Sequence, residues 1–171
     1  MSDTRQASTE PEAQLWEQLD GHTAGMLGVS GSGQHMQPMV HMAAPDEKAL
    51  YFFTSKSSDL VKTLKPGAIA HYTYVAKDHD YHACMKGNLT ISNDPAKTDE
   101  YWSPIVGAWF EGGKTDPDLA LLRLDLEDAA IWASTDSSLK FGWEMAKANL
   151  ASDTQPDVGV SNHIWFRKRP T

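Results

Sequence analysis

A chain of 171 residues, 40% apolar and 22% charged, has the composition of one globular domain and not that of a disordered chain. A net charge of −8 argues against a nucleic-acid binder, which needs basic surface to neutralise phosphates, and no apolar run approaches the ~20 residues that cross a bilayer. Cys84 is the sole cysteine, which excludes an internal disulfide and a cysteine-based metal cluster.

Residues 1–10 read as an unstructured leader, with a single domain over 11–167 and a basic tail at 168–171. The acidic start (Asp3, Glu10, Glu12) lacks the basic-then-apolar order of a signal peptide, so the cytoplasm is the expected compartment. Without such a signal the sequon at Asn88 carries no weight. Thr9 and Glu12 are spaced as a capping box for a short helix carrying Leu15, Trp16 and Leu19 on one face, with Gly21 to end it. From Thr23 the texture turns to strands. Residues 23–30 are small and apolar, and Gly31-Ser32-Gly33 supplies a turn. Residues 35–43 alternate, with Met36, Pro38, Val40 and Met42 on the apolar face and His35, Gln37, Met39 and His41 on the other. Pro38 cannot donate to a ladder, which places this strand at an edge or a bulge.

A third strand covers 49–54, and Ser57, Ser58 and Asp59 cap a short helix that runs to Leu64 and is closed by Pro66-Gly67. Strands follow at 68–76 and 81–92. In the second, Tyr81, Ala83, Met85, Leu89 and Ile91 share one face, and His82, Cys84, Lys86, Asn88 and Thr90 share the other. Asp94-Pro95 starts a helix. A Trp- and Gly-dense segment follows, then strands at about 119–126 and 129–135, a helix at about 138–149 with Phe141, Trp143 and Met145, and a last strand at 160–166. Trp102 and Trp132 are expected to be buried and structural. Many short strands with a few helices make the chain mainly β, with α+β character and a barrel as the expected architecture.

Little in the chain carries chemistry by itself. Gly28, Gly31 and Gly33 are misspaced for a dinucleotide fingerprint and precede a strand, so they read as a hairpin turn. The seven histidines show no tight spacing with Asp or Glu, and no metal site is expected. No residue stands out as a general acid or base. The strand-to-helix turn at 54–58 is different, because hydroxyls beside free backbone N–H groups suit a phosphate as well as a cap.

Taken together, Pro38-Met39, Phe52-Phe53-Thr54 and Ser58 resemble the flavin-binding half of the general stress proteins in the pyridoxamine phosphate oxidase-like family. Asp94-Pro95-Ala96-Lys97, Trp102, Trp109-Phe110, Gly112-Gly113, Asp116-Pro117, Leu121-Leu122 and Trp132 are similar to that family's later signature, and Gly87 to the glycine of its central barrel strand. The resemblance covers about 12–166. It implies an FMN-binding split β-barrel with flanking helices, a homodimer holding flavin at the subunit interface, and a flavin-dependent oxidoreductase as the activity. Met39, Phe53, Thr54 and Ser58 match flavin-contacting positions, His82 falls near the ring, and Trp109 helps close the site. FMN is the expected cofactor, with FAD and haem behind it; nucleic acid and membrane are not expected partners.

Two positions depart from the family pattern. Gln37 stands where arginine is usual, and Leu60 where lysine is usual, so both cations expected near the phosphate are missing. Each lost charge-assisted hydrogen bond weakens binding by about 1.5–3 kcal/mol. FMN is therefore expected to bind weakly, and more weakly as salt rises, with Gln37→Arg and Leu60→Lys restoring affinity. The competing expectation is a non-enzymatic stress-response or ligand-binding module that has lost FMN.

Overall fold

The computed structural model describes residues 3–20, 24–134 and 159–167. Two short helices, α1 (Thr4–Thr9) and α2 (Pro11–Leu19), precede strands β1 (Ala24–Val29), β2 (Gln37–Val40), β3 (Met42–Ala44) and β4 (Ala49–Ser55). Helix α3 (Asp59–Thr63) leads to β5 (Ile69–Val75) and the long β6 (Tyr81–Ser92). Helices α4 (Pro95–Tyr101) and α5 (Pro104–Gly107) come before β7 (Leu119–Ser134), and β8 (Gly159–Trp165) is last. Gly21, the 138–149 helix and the 168–171 tail lie outside the described residues. No helix among those described is long and apolar enough to cross a membrane.

The strands form one antiparallel sheet in the order β2-β1-β5-β6-β7-β4-β3, with β8 also on β7. β2 and β3 stand at opposite ends of that order, yet only His41 separates them in sequence. The sheet must therefore curl until its ends approach each other, and the result is a split barrel, as expected. β7 serves both ends of the barrel: one edge pairs along β6, while the other takes β4 over 119–125 and β8 over 128–134.

Leu27, Leu50, Phe52, Tyr72, Met85, Leu89, Leu122, Leu124 and Ile131 fill the interior, and Leu15 and Leu19 of α2 join the same cluster. His41 ties that helix to the barrel. Its Nε2 donates to the Leu19 carbonyl at 2.8 Å, and its Nδ1 meets the Tyr72 hydroxyl at 2.9 Å.

Several expectations need correction. Thr4–Thr9 of the leader is helical: Asp3 caps it, and Ala7 is fully buried. The capping box is not made, because Thr9 ends α1 with its hydroxyl on the Arg5 carbonyl, while Glu12 meets Lys48. The 35–43 strand breaks at His41, and its faces are inverted. Met39 and His41 are buried, whereas Met36 and Val40 are exposed, because the apolar face turns outward. β2 is an edge strand, as Pro38 implied. Ile91 lies beyond the packed part of β6 and is 41% exposed.

The two strands expected at 119–126 and 129–135 are one. Lys86 pairs with Asp128 and Gly87 with Leu126, which leaves Glu127 as an extra residue in a bulge. Gly87 is required there, since a Cβ would stand 2.1 Å from the Asp125 carbonyl oxygen. Trp132 is 48% exposed on the outer face, not buried.

Candidate functional site

β4 reads as a continuous apolar run because both of its faces are covered. Leu50 and Phe52 enter the barrel, while Tyr51, with Ala49, Ala44 and Leu121, forms a second cluster outside it, joined by Met42, Phe53 and Tyr101. Helix α4 lies over that outer cluster, fastened by charge. Lys97 Nζ contacts Glu47 Oε1 at 2.5 Å and Glu100 Oε2 at 2.8 Å, between the rings of Tyr51 and Tyr101 at 5.7 and 5.6 Å. Arg123 Nη1 donates to Glu47 Oε2 and to the Tyr51 hydroxyl oxygen, both at 2.7 Å. Hydrogen bonding from Lys97, then Tyr51, holds the Glu47 carboxyl below its ordinary range. Burial, reinforced by the Glu47 bond, pushes the Tyr51 phenol up to about 12. Bonds to Glu100 and then Glu47 keep the Lys97 ammonium above its usual value.

Beyond α4 the chain stays close to the barrel. Trp102 packs edge-on against Phe53, with ring centroids 5.9 Å apart, and Ser103 caps α5 by accepting from the Val106 N–H. Between this wall and β2, β3 and β4 runs a groove of about 800 Å³. Pro38, Met39, Val40 and Phe53 line one side, and Tyr101, Val106, Trp109 and Phe110 the other. Ile105 and Trp109 stand at its mouth, 77% and 82% exposed. A flat apolar ring system matches such walls.

At the end of β4 the groove turns polar. Asp118 Oδ1 accepts from the Ser57 N–H at 2.9 Å, and its Oδ2 accepts from the Ser57 hydroxyl at 2.9 Å and from the Ser55 hydroxyl. These bonds, that of Ser55 first, hold the Asp118 carboxyl below its ordinary range. Glu111 and Asp116 join Asp118 in the lining, which carries no lysine, arginine or histidine among the described residues. Lys56 Nζ is engaged by the Pro117 carbonyl at 2.8 Å.

Of the eight residues singled out from the sequence, the groove gathers Met39, Phe53, Thr54 and Trp109. Met39 reaches it only at its edge, being 9% exposed. Gln37 pairs with Leu27 at the start of β2, outside the lining. Ser58 is the cap of α3, accepting from the Val61 N–H. Leu60, on α3, is 3% exposed and belongs to the main core cluster. His82 lies in a separate shallow hollow on the outer face, with Val75, Cys84 and Trp132. Sequence reasoning missed Tyr101, Glu111 and above all Asp118, whose bonds to Ser57 span 61 positions and leave no local pattern.

The family model described as pyridoxamine 5'-phosphate oxidase like matches residues 10–157. The chain belongs to the pyridoxamine 5'-phosphate oxidase-like family. Among solved members of this fold, a protein provisionally named general stress protein 26, from a Jannaschia species, is 32% identical, with a TM-score of 0.75 over 94% of this chain and 99% of its own. The general stress FMN/FAD binding protein of Xanthomonas citri is 39% identical, with a TM-score of 0.69 over 75% of this chain and 92% of its own. A protein provisionally placed in the general stress family, from Xanthomonas campestris, is 38% identical at a TM-score of 0.69, covering 81% and 94%. No curated protein matches. Within this pyridoxamine 5'-phosphate oxidase-like fold the groove sits on the outside of the barrel, where a single chain leaves its mouth open.

Proposed function

We propose that this protein is a cytoplasmic general stress protein that binds flavin, FMN weakly, and works as a homodimeric flavin-dependent oxidoreductase. The observation that carries the reading is the groove itself. It brings Met39, Phe53, Thr54 and Trp109 together, four positions that the family resemblance assigns to flavin, between walls suited to a planar ring. The flavin ring, when bound, supplies the redox chemistry. This chain supplies apolar walls that exclude water, and hydroxyls and carboxylates at one end that orient the side chain of the ligand. A second subunit across the open mouth completes the enclosure around Trp109.

One observation favours a second reading, a binding module that has given up FMN: among the described residues, carboxylates and no cations line the polar end of the groove. Among the described residues, no histidine lines the groove to hold a haem iron. Titration with FMN and riboflavin, followed by quenching of flavin fluorescence, tests the reading. Saturable binding of at least one flavin, lost on mixing with Phe53→Ala protein, supports it. No binding of either flavin at millimolar concentration overturns it.

A further inference from the structure

The ring end of the groove fits a flavin, but its polar end does not fit a phosphate. A phosphate held at the turn between β4 and α3 needs the Ser55 and Ser57 hydroxyls and the Ser57 N–H as donors. All three already donate to Asp118. A flavin phosphate carries about −1.5 to −2 charges at neutral pH, and here it would have to displace one carboxylate while facing two more, Glu111 and Asp116. Compensation is thin among the described residues. Lys56 keeps its charge, but it is tethered to the Pro117 carbonyl and already stabilises the Asp118 carboxylate, Gln37 is neutral, and Leu60 is packed in the core. A ribityl chain is another matter. Its hydroxyls are neutral donors, and carboxylates with open lone pairs accept from them.

We infer that Asp118 determines the ligand's charge: by occupying the donors of Ser55 and Ser57, it makes the groove select a flavin with a neutral side chain, of the riboflavin class, over FMN. This rests on the flavin reading, and it goes beyond the missing cations at positions 37 and 60. It also reverses a sign. A site that attracts phosphate loses FMN as salt screens the attraction, whereas this one gains FMN as salt screens the repulsion.

The test compares the affinities of wild type, Asp118→Asn and Glu111→Gln for FMN and riboflavin, with a salt series on wild type. Asp118→Asn keeps one acceptor oxygen for the Ser57 N–H but puts an NH2 group where Oδ2 accepted, which frees the Ser55 and Ser57 hydroxyls and removes a charge, whereas Glu111→Gln removes only a charge. The expected result is tighter binding of riboflavin than of FMN by wild type, and FMN binding that strengthens between low and high salt. Asp118→Asn is expected to tighten FMN about tenfold, the scale of one charged hydrogen bond regained, and to leave riboflavin nearly unchanged. Thermal melts check that the variant folds. Should Asp118→Asn fail to fold, Asp118→Ser serves in its place, and the salt series needs no variant. Wild type that prefers FMN and loses it with salt overturns the inference while the flavin reading stands. Equal FMN gains from Asp118→Asn and Glu111→Gln also overturn it, since charge alone would then explain both. Failure of every protein to bind either flavin removes the flavin reading and this inference with it.

Discussion

Position 60 carries a lysine in the family pattern, and this chain has a leucine on α3 buried in the main core cluster, against which Val61 and Leu64 also pack. The side chain is 3% exposed, so its neighbours are carbon atoms that offer an ammonium neither a hydrogen bond nor water. Leu60→Lys is therefore not expected to restore a phosphate site. It buries an unpaired charge, and the expected outcome is a loss of about 3 kcal/mol or more in urea unfolding, with no gain in FMN affinity. A variant as stable as wild type that binds FMN more tightly would show that the side chain reaches the ligand. Trp132 teaches the same lesson in reverse. An indole in the middle of a strand reads as core, yet it stands on the outer face, where truncation removes little packing within the chain.

At the scale of elements, the wall of the groove depends on how α4 is held. Seven residues cannot form a stable helix in water by themselves. Lys97 secures it by joining Glu47 and Glu100 between two tyrosine rings. The pH dependence follows from Glu47. Its folded carboxyl titrates below the ordinary 4.5, so its contribution is complete above that value and is lost as pH falls through the depressed folded value. The hydrogen-exchange protection factors of 95–101, taken against the intrinsic rate at each pH, are therefore expected to hold at neutral pH and to fall on acidification into that range, ahead of those of the barrel strands. In Glu47→Gln the segment should exchange faster already at neutral pH, and the acid step should shrink. An unchanged exchange profile would mean that α4 is held by packing on Tyr51 alone.

At the scale of the whole molecule, one face of the barrel carries exposed apolar side chains among the described residues. Along it, Val75 of β5, His82 of β6 and Trp132 of β7 form one cross-strand row, and Val75 and Trp132 are 44% and 48% exposed. Trp165 of β8 adds a further ring, stacked on His163 at 4.5 Å between centroids. Apolar side chains clustered in this way mark an interaction surface. The homodimer proposed above would form through it, and would then bring His82 of one subunit toward the groove of the other. Sedimentation equilibrium at micromolar concentration is then expected to give twice the 18.9 kDa chain mass, and Trp132→Glu to return the mass to one chain while the melting of the barrel is kept. A wild type that sediments as one chain would remove the dimer from the proposal.

Local chemistry, visible in the sequence, determined most of the elements. Alternation placed β6, the Asp94-Pro95 start placed α4, the serines before Asp59 placed α3, and Pro38 placed β2 at an edge, because each signal acts within a few residues of itself. Spaced matches along the chain then pointed to the family and, within it, to Met39, Phe53, Thr54 and Trp109. Tertiary structure decided what local signals cannot encode. Glu127-Asp128 looks like a break between strands, but pairing with β6 on one edge and with β4 and β8 on the other carries β7 through it as a bulge. Which face of residues 35–43 meets the core depended on where the curled sheet closes. The polar end of the groove depended on a carboxylate that arrives from 63 and 61 positions away to take the hydroxyls of Ser55 and Ser57. Hydrogen-bond donors are legible in a sequence; whether they are free or already occupied depends on distant parts of the chain meeting in space.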